Sequence, residues 1–511
     1  MNILSWISRK SRFIFLYALV AVLIFAGIKL LQDRSWFLGF FFFVSSFLII
    51  YIYSISKKIP GKYLLPGVLL LILFQIYPSF YSGVVAFTND SNGHQLSKEQ
   101  AIAAIIDDSM SPVPDAEPIL YTAALNPSSQ EVLVIFRYPE TKLWIANSSS
   151  ISPLLESDVT FDSSGKALSV IGYKALNPSQ TEEKGLELQE IKIELQDGLM
   201  VQPVDYDYLE VLKPTFRYDE SRDQLTDLLS GDTYQPNDNG QMASQSGDLL
   251  YPGWKAYVGW RNFSSIITEK EIRAPIVSVL TWTIINAFLV VVLSFLFGLT
   301  LALIFNSPHL RSKRLYRTIF ITPLAIPSVL SVLVWAGLFT TETGVIDRLF
   351  HISTPWLTDA MWARVAVLIV ELWISFPYMF LITTGAIQAI PHEIIEAASI
   401  DGATHFKSFT QIKLPLVVRT VAPLLIASGA MALNNFGVIY LLTAGGPTFA
   451  NSNGNAGATD ILISYTYKLA FNANEGNNYG LASALSILNF LLIAGASIYG
   501  LRRIKTMEGI N

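Results

Sequence analysis

The stretch VSVLTWTIINAFLVVVLSFLFGLTLALIF, residues 277–305, decides the fold because it contains no charged side chain. A helix needs roughly 20 mainly apolar residues to cross the hydrocarbon core of a bilayer, so this stretch predicts a membrane span. Comparable runs give eight predicted spans, at about residues 13–31, 36–54, 63–86, 277–305, 315–340, 364–388, 419–443 and 480–501. A buried soluble helix is the alternative for any one run. Eight such runs together favour a polytopic α-helical membrane protein.

The composition supports this class and excludes several kinds of site. The 511 residues are 51% hydrophobic and 15% charged, whereas soluble proteins carry about 25% charged residues. The absence of Cys excludes disulfides, thiol chemistry and Cys-based zinc sites, and five His residues argue against a His-rich metal centre. The phosphate-binding pattern G-x-x-x-x-G-K-[ST] does not occur in the sequence. We therefore predict a chain without a metal or cofactor that does not itself hydrolyse ATP.

Charge divides the chain into parts made for different solvents. Residues 88–275 hold 14 Lys and Arg against 29 Asp and Glu, and the remainder holds 21 basic and 11 acidic residues. Basic residues mark the cytoplasmic ends of spans. Sixteen of those 21 lie on one side if eight spans leave both termini in the cytoplasm. These are Arg9, Lys10, Arg12, Lys57, Lys58, Lys62, Arg311, Lys313, Arg314, Arg317, Lys407, Lys413, Arg419, Arg502, Arg503 and Lys505. The acidic insert is then extracytoplasmic.

The N-terminus also has features of a signal peptide, with a basic start followed by an apolar run. The run is long, no A-x-A-like site follows it, and a second span begins close behind. We interpret it as a retained anchor, so that residues 1–87 contain three transmembrane helices.

The insert at 88–275 is too long for a simple connection, and it is predicted to be a folded, β-rich α/β domain. EVLVIFRY (131–138) and LELQEIKIEL (186–195) are typical of strands, and KEQAIAAIIDD (98–108) is typical of an amphipathic helix. Residues 230–248 are predicted to form a flexible excursion. The acidic surface is either simply solvated or a docking surface for a soluble partner. Residues 276–511 then form a core of five spans.

The polar stretch PHEIIEAASIDGATHFKSFTQIKLP, residues 391–415, interrupts this core. Pro391 suits the start of a short helix, and Gly402 suits its end because glycine readily adopts positive φ. Thr404 is a candidate cap for a second short helix that Pro415 would end. The segment is either an ordinary amphipathic loop or a coupling element that inserts into a groove on a cytoplasmic partner.

At these residues the chain resembles the EAA loop of the permease subunits of ABC importers. The matching positions are Glu396, Ala397, Ala398, Asp401, Gly402, Ala403, Ile412, Leu414 and Pro415. The resemblance implies a type I importer permease whose loop, within 391–419, docks on an ATPase subunit. It places Glu396 and Asp401 nearest the interface and Gly402 at the bend.

Further motifs resemble the MalF-type family of maltose/maltodextrin permease subunits: FPYMF (376–380), NNF (434–436), LLTAGGP (441–447), YTYKLAF (465–471) and GLASA (480–484). Eight spans with a large external insert after the third also fit that family. The implied partners are a second permease subunit (MalG-like), an ATPase dimer (MalK-like) that binds ATP and Mg, a periplasmic sugar-binding protein and the sugar. No nucleic acid is expected. Gly445, Gly446 and Pro447 would help to hold the binding protein.

Two predicted spans carry unusual polarity. Glu371, Ile374, Ser375 and Tyr378 share one helix face, and Ser428, Met431, Ala432 and Asn435 share another. Polar groups in the bilayer face either a wet cavity or a neighbouring helix that they bond. The mixture of amide, hydroxyl and aromatic groups suits a sugar. The resemblance places sugar contacts at Ile374, Ser375, Tyr378, Ser428, Met431, Ala432 and Asn435, although the family leads us to expect an aromatic ring at Met431 and an amide at Ala432.

Three other functions remain open from the sequence. A permease of the same type for another oligosaccharide or a polyol is the nearest. A secondary transporter would need intramembrane acids for a coupling ion, for which Glu371 is the candidate. A receptor would need a cytoplasmic signalling domain, and the longest predicted cytoplasmic segment has only about 30 residues.

Overall fold

The computed structural model describes residues 3–508, apart from residues 34, 55–59, 115, 128, 140–141, 163–164, 196–197, 307–311, 451–455 and 472–476. Of the sixteen basic residues that orient the predicted spans, Lys57, Lys58 and Arg311 lie outside the described residues. The chain forms two compact units. Met1–Phe87, Ser265–Tyr467 and Leu481–Asn511 make the first, and Thr88–Ser264 with Lys468–Gly480 make the second.

Long apolar helices build the first unit. The described residues contain seven helices that are long and apolar enough to cross a membrane, or eight if one bent pair counts as a single span. The α-helices among the described residues of both units are α1 Ile3–Gln32, α2 Trp36–Ser54, α3 Gly61–Leu71, α4 Tyr77–Val85, α5 Lys98–Asp108, α6 Pro178–Glu183, α7 Gly185–Gln189, α8 Arg261–Thr268, α9 Lys270–Phe305, α10 Lys313–Ala325, α11 Ser328–Leu338, α12 Val345–Phe350, α13 Ala360–Gln388, α14 His392–Ile400, α15 His405–Ser408, α16 Leu414–Leu433, α17 Phe436–Thr443, α18 Leu462–Phe471 and α19 Tyr479–Glu508.

The fifth predicted span, 315–340, is not one straight helix. It consists of α10 and α11, which meet at an angle of 93°. Ile326, between them, has extended backbone angles and precedes Pro327. A residue before proline is pushed out of the helical region, so the prolyl ring ends α10 and redirects the chain.

The seventh predicted span differs at both ends from its expected form. Pro415 does not end a short helix, because helical structure continues from α15 through a π-helical turn, Phe409–Lys413, into α16. In that turn the Leu414 N–H bonds the carbonyl of Phe409, five residues back. Such a widened turn relieves the clash between a prolyl ring and the preceding turn. At the other end the span is interrupted at Asn434 and Asn435, before α17.

Helices α9 and α13 pack closely against each other along one seam. A Cβ atom added to Gly298 would lie 2.7 Å from the backbone carbonyl carbon of Met379, so only glycine fits there. Gly298 and Ala302 are both buried and four residues apart. Such pairs of small residues let membrane helices approach closely. The seam therefore fixes α9 beside α13, the helix that carries Glu371 and Tyr378.

The second unit is built on antiparallel strands. Its largest sheet has the order β5-β4-β3-β2-β11-β10-β9, with β1 paired to β11 and β8 paired to β2. A second sheet has the order β12-β13-β14-β15, and β6 pairs with β7. The strands are β1 Met110–Pro112, β2 Ile119–Leu125, β3 Val132–Arg137, β4 Leu143–Ala146, β5 Ile151–Leu154, β6 Val159–Phe161, β7 Ala167–Val170, β8 Lys174–Ala175, β9 Ile193–Glu194, β10 Met200–Pro203, β11 Tyr208–Pro214, β12 Phe216–Asp219, β13 Gln224–Asp227, β14 Thr233–Pro236 and β15 Met242–Ser244.

The second unit confirms the predicted β-rich domain after the third span, and local features explain which of its elements were predicted correctly. Helix 98–108 is confirmed as α5, which begins with a capping box between Ser97 and Gln100. Strand 131–138 is confirmed as β3.

Two predictions about the second unit need correction. Residues 186–195 form a strand only near their end, at β9, because the first part belongs to α7; Leu188 and Ile191, three residues apart, both enter the core around the large sheet. Residues 230–248 are not a flexible excursion but contain β14 and β15. Tyr234 and Met242 are buried there, and the Asn237 side chain accepts hydrogen bonds from two backbone N–H groups of the connecting turn. The polar composition of this segment concealed that turn.

Candidate substrate cavity and coupling segment

The break in the seventh span forms part of the wall of a cavity. Asn434 and Asn435 interrupt the helix, and Asn435 has non-helical angles of φ −81° and ψ 63°. Irregular backbone at membrane depth is tolerated where it is buried in protein or lines a wet space. Both asparagines line the cavity described next.

The cavity has a volume of about 720 Å³, within the roughly 300–1,000 Å³ that is usual for small-molecule sites. All seven residues for which sugar contact was predicted line it: Ile374, Ser375, Tyr378, Ser428, Met431, Ala432 and Asn435. The structure thus brings together two helix faces that are about 50 residues apart in sequence.

These seven side chains are not equally available to a ligand. Met431 is 75% exposed and Tyr378 is 37% exposed. The Tyr378 hydroxyl has no hydrogen-bond partner among the described residues, whereas the Ser428 hydroxyl bonds the carbonyl of Leu424 in its own helix. Ala432 is only 6% exposed and packs in a cluster with residues of α9. The ring and the thioether therefore present most of the reachable surface.

Sequence reasoning missed the rest of the wall. α9 contributes Ser294, and the bent fifth span contributes Leu324, Ser328 and Val329. The signal for the bend was the proline pair Pro323 and Pro327, which the predicted single span overlooked. The lining side chains include no Asp, Glu, Lys or Arg among the described residues, so the cavity suits an uncharged polar ligand.

Glu371 lies behind this wall rather than in it. It is 1% exposed, and its two carboxyl oxygens accept hydrogen bonds from Asn286 at 2.9 Å and from Asn435 at 2.8 Å. The three residues come from α9, α13 and the break in the seventh span. A carboxyl group in the bilayer is costly, and these two amides offset part of that cost.

The segment 391–404 forms a sharply bent turn. Gly402 has φ +79°, its N–H bonds the carbonyl of Ser399 at 3.1 Å, and the N–H of Ala403 bonds the carbonyl of Ala398 at 2.9 Å. These two bonds form a Schellman motif with Gly402 in the left-handed position that follows the helix cap. Thr404 caps the next helix by accepting from the Lys407 N–H. The bend predicted at Gly402 is present.

The bend displays apolar and acidic groups together. Ile400 is 86% exposed and Phe406 is 74% exposed. Glu396 and Asp401 are also exposed, as is Ala397, while Ala398 is buried. Exposed apolar side chains such as these are more stable when they are buried in a groove on a partner than when they are in contact with water.

The loop of Gly445, Gly446 and Pro447 is tied to residues that follow it. The Gly445 carbonyl accepts from the Thr459 N–H at 3.2 Å, and the Pro447 carbonyl accepts from the Ala458 N–H at 2.8 Å. The Thr459 hydroxyl bonds the Gly446 carbonyl at 2.7 Å. This loop therefore has a fixed shape.

Among the described residues, no group of three or more His, Cys, Asp or Glu side chains could hold a metal ion.

Comparison with known proteins identifies the class to which this arrangement belongs. Residues 294–504 match the model of the family described as binding-protein-dependent transport system inner membrane component. Residues 69–147 match the N-terminal region of the transmembrane subunit in PBP-dependent ABC transporters. Both matches cover regions in which sequence reasoning placed spans.

Three curated relatives share the name maltose/maltodextrin transport system permease protein MalF. The Vibrio cholerae protein is 32% identical over 482 residues, which are 90% of this chain and 88% of the relative. The Photorhabdus laumondii protein is 31% identical over 479 residues, covering 89% of each chain. The Salmonella typhimurium protein is 32% identical over 470 residues, which are 89% of this chain and 88% of the relative.

Proposed function

The chain belongs to the MalF family of maltose/maltodextrin transport system permeases, and on that premise we propose that it carries maltose and maltodextrins through the membrane. As a member it is a multi-pass inner-membrane component of a binding-protein-dependent transport system, and a permease rather than an enzyme. The energy for transport would come from ATP, bound with Mg on partner ATPase subunits.

The observation that carries the proposal is the cavity between α13 and the broken seventh span. Tyr378 offers an aromatic face and a hydroxyl that no described residue hydrogen-bonds, and Asn434, Asn435 and Ser375 add polar groups. A sugar needs this combination, since its hydroxyls require hydrogen-bond partners and its apolar ring face stacks on an aromatic ring. The uncharged lining argues for a neutral sugar.

The bend at Gly402 would transmit the force for transport. We propose that Ile400 and Phe406 enter a groove on an ATPase subunit, with Glu396 and Asp401 at its edge. Closure of an ATPase dimer (MalK-like) would then move 391–419 and the bundle, so that the cavity opens alternately to the two sides. This requires both termini and the bend to be cytoplasmic, as the basic residues predict.

The remaining partners follow from the same scheme. A second permease subunit (MalG-like) would complete the pathway. A periplasmic sugar-binding protein would deliver the sugar, held by the acidic insert and by the fixed loop of Gly445, Gly446 and Pro447. These assignments rest on family membership and on the shape of that loop.

A second candidate solute is another oligosaccharide or a polyol. Met431 favours this alternative, because it is 75% exposed at a position where the family leads us to expect an aromatic ring. A thioether adapts to many shapes but stacks on a sugar less specifically than a ring does. Ala432 is buried and has no polar side-chain atom, so it cannot supply the hydrogen bond of the amide that we expect at this position.

Co-purification followed by transport tests the proposal. The tagged chain is isolated from its own membranes, its partners are identified, and the complex is placed in vesicles with ATP. We expect an ATPase and a sugar-binding protein, and ATP-dependent uptake of radiolabelled maltose. Uptake of a different sugar would support the second candidate. Uptake under an ion gradient without ATP would instead support a secondary transporter.

A further inference from the structure

Glu371 is buried, reaches two other helical segments and is not used by the transport scheme above. A carboxylate only accepts hydrogen bonds, so both asparagines must turn their amide N–H₂ groups toward it. The geometry agrees, with Nδ2 of Asn435 at 2.8 Å from Oε1 and Nδ2 of Asn286 at 2.9 Å from Oε2. This identifies, for each of the two asparagines, that the amide nitrogen faces Glu371 and that the amide oxygen points away from it.

For Asn435 this assignment has a chemical consequence. Asn435 lines the cavity, and its Oδ1 has no hydrogen-bond partner among the described residues. With Nδ2 held by Glu371, the oxygen is the end left for a ligand. The backbone alone would not fix this side chain, because Asn435 lies in the helix break and its own N–H makes only a long bond of 3.4 Å to Ala432.

The second amide indicates that the arrangement has a cost. Asn286 is fully buried, and its Oδ1 makes no hydrogen bond to any residue that the structure describes. An unsatisfied buried acceptor is destabilising. The chain accepts this cost in order to hold the carboxyl group of Glu371 in place behind the cavity wall.

We propose that Glu371 is a positioning and specificity residue of the sugar cavity. It orients Asn435 so that the wall presents a hydrogen-bond acceptor, and this acceptor selects a sugar hydroxyl that can donate. The inference rests on the proposed function, since it names how that same cavity reads its solute. Glu371 does not touch the sugar and acts through Asn435.

The role requires an acceptor oxygen rather than a negative charge, which gives a matched pair of variants. In Glu371→Gln the side-chain oxygen can still accept from Asn435, and its N–H₂ can donate to Oδ1 of Asn286 if that amide turns over. Glu371→Leu keeps the bulk and removes the acceptor. A coupling-ion role would instead make both variants equally defective.

The test uses the whole complex in vesicles, with the binding protein loaded beforehand with maltose or with maltose analogues that carry fluorine in place of one hydroxyl. Fluorine cannot donate. We expect the wild type to transport one analogue about tenfold more slowly than maltose, as the loss of one hydrogen bond allows. Glu371→Leu should transport maltose itself about tenfold more slowly and lose that discrimination, while Glu371→Gln should remain within about threefold of wild type.

Several readouts separate positioning from a structural effect. The KM for the loaded binding protein should not change in Glu371→Leu, because docking does not involve the cavity. If Glu371→Leu does not assemble, Glu371→Asn, which ends one methylene short of Asn435, should show the same lost discrimination. A wild type that discriminates against none of the analogues, or a Glu371→Leu complex that still does, would overturn the inference alone. A wild type that takes up no maltose would overturn the proposed function as well.

Discussion

Replacing Gly402 tests whether the bend in 391–404 couples ATP hydrolysis to transport. A Cβ atom at Gly402 would meet no atom of the described residues within 4 Å, apart from Gly402 itself and its two neighbours in the chain, so the cost of Gly402→Ala arises from its φ of +79° alone. An L-residue pays about 1–2 kcal/mol in that region, which lowers the population of the bent form about 5–30-fold. Gly402→Val should be worse, since β-branched residues hardly adopt positive φ.

The assay measures ATP hydrolysis and maltose uptake by the same vesicles. We expect Gly402→Ala to reduce uptake per ATP hydrolysed, or the amount of ATPase that co-purifies, by the factor estimated above. Gly402→Asn should retain more activity than Gly402→Ala, because asparagine tolerates positive φ. Normal coupled uptake in Gly402→Val would refute the reasoning, and so would crosslinking that never brings Gly402 near an ATP-binding subunit.

Three further predictions concern packing, the cavity and the insert. Gly298→Ala should destabilise the complex by about 1–3 kcal/mol in thermal unfolding, because the new Cβ would lie 2.7 Å from the backbone carbonyl carbon of Met379, which must move. Gly385→Ala is the control: it has open space around it and should be neutral or stabilising. Tyr378→Phe should reduce maltose uptake a few-fold and Tyr378→Ala should reduce it much further, since hydroxyl and ring are lost in turn; equal effects would contradict stacking. A hydrogen bond from Lys98 lowers the pKa of Asp223, although burial acts in the opposite direction. The Asp223 carboxylate therefore stabilises the folded insert at pH values above its unfolded pKa of about 3.9. This stabilisation is lost as the pH falls through the lowered pKa of the folded state. Unfolding scans should show a smaller acid effect in Asp223→Asn.

Sequence alone was sufficient for several features that depend on neighbours along the chain, although it overlooked the local signal of Pro323 and Pro327. Charge-free apolar runs identified the membrane class, because bilayer thickness sets the length of a span. The helix 98–108 and the bend at Gly402 were predictable, since caps and positive φ are local properties. Helical spacing also placed Ile374 and Tyr378 on one face.

Only the tertiary structure decided features that depend on distant residues. The 93° bend brought Leu324 and Ser328 to the cavity. The strands within 230–248 depend on a core that other segments supply. Above all, Glu371 and Asn435 lie 64 residues apart, and no local pattern pairs them. Their hydrogen bond exists because a buried carboxyl group must find donors, and helix packing determines which donors lie within reach.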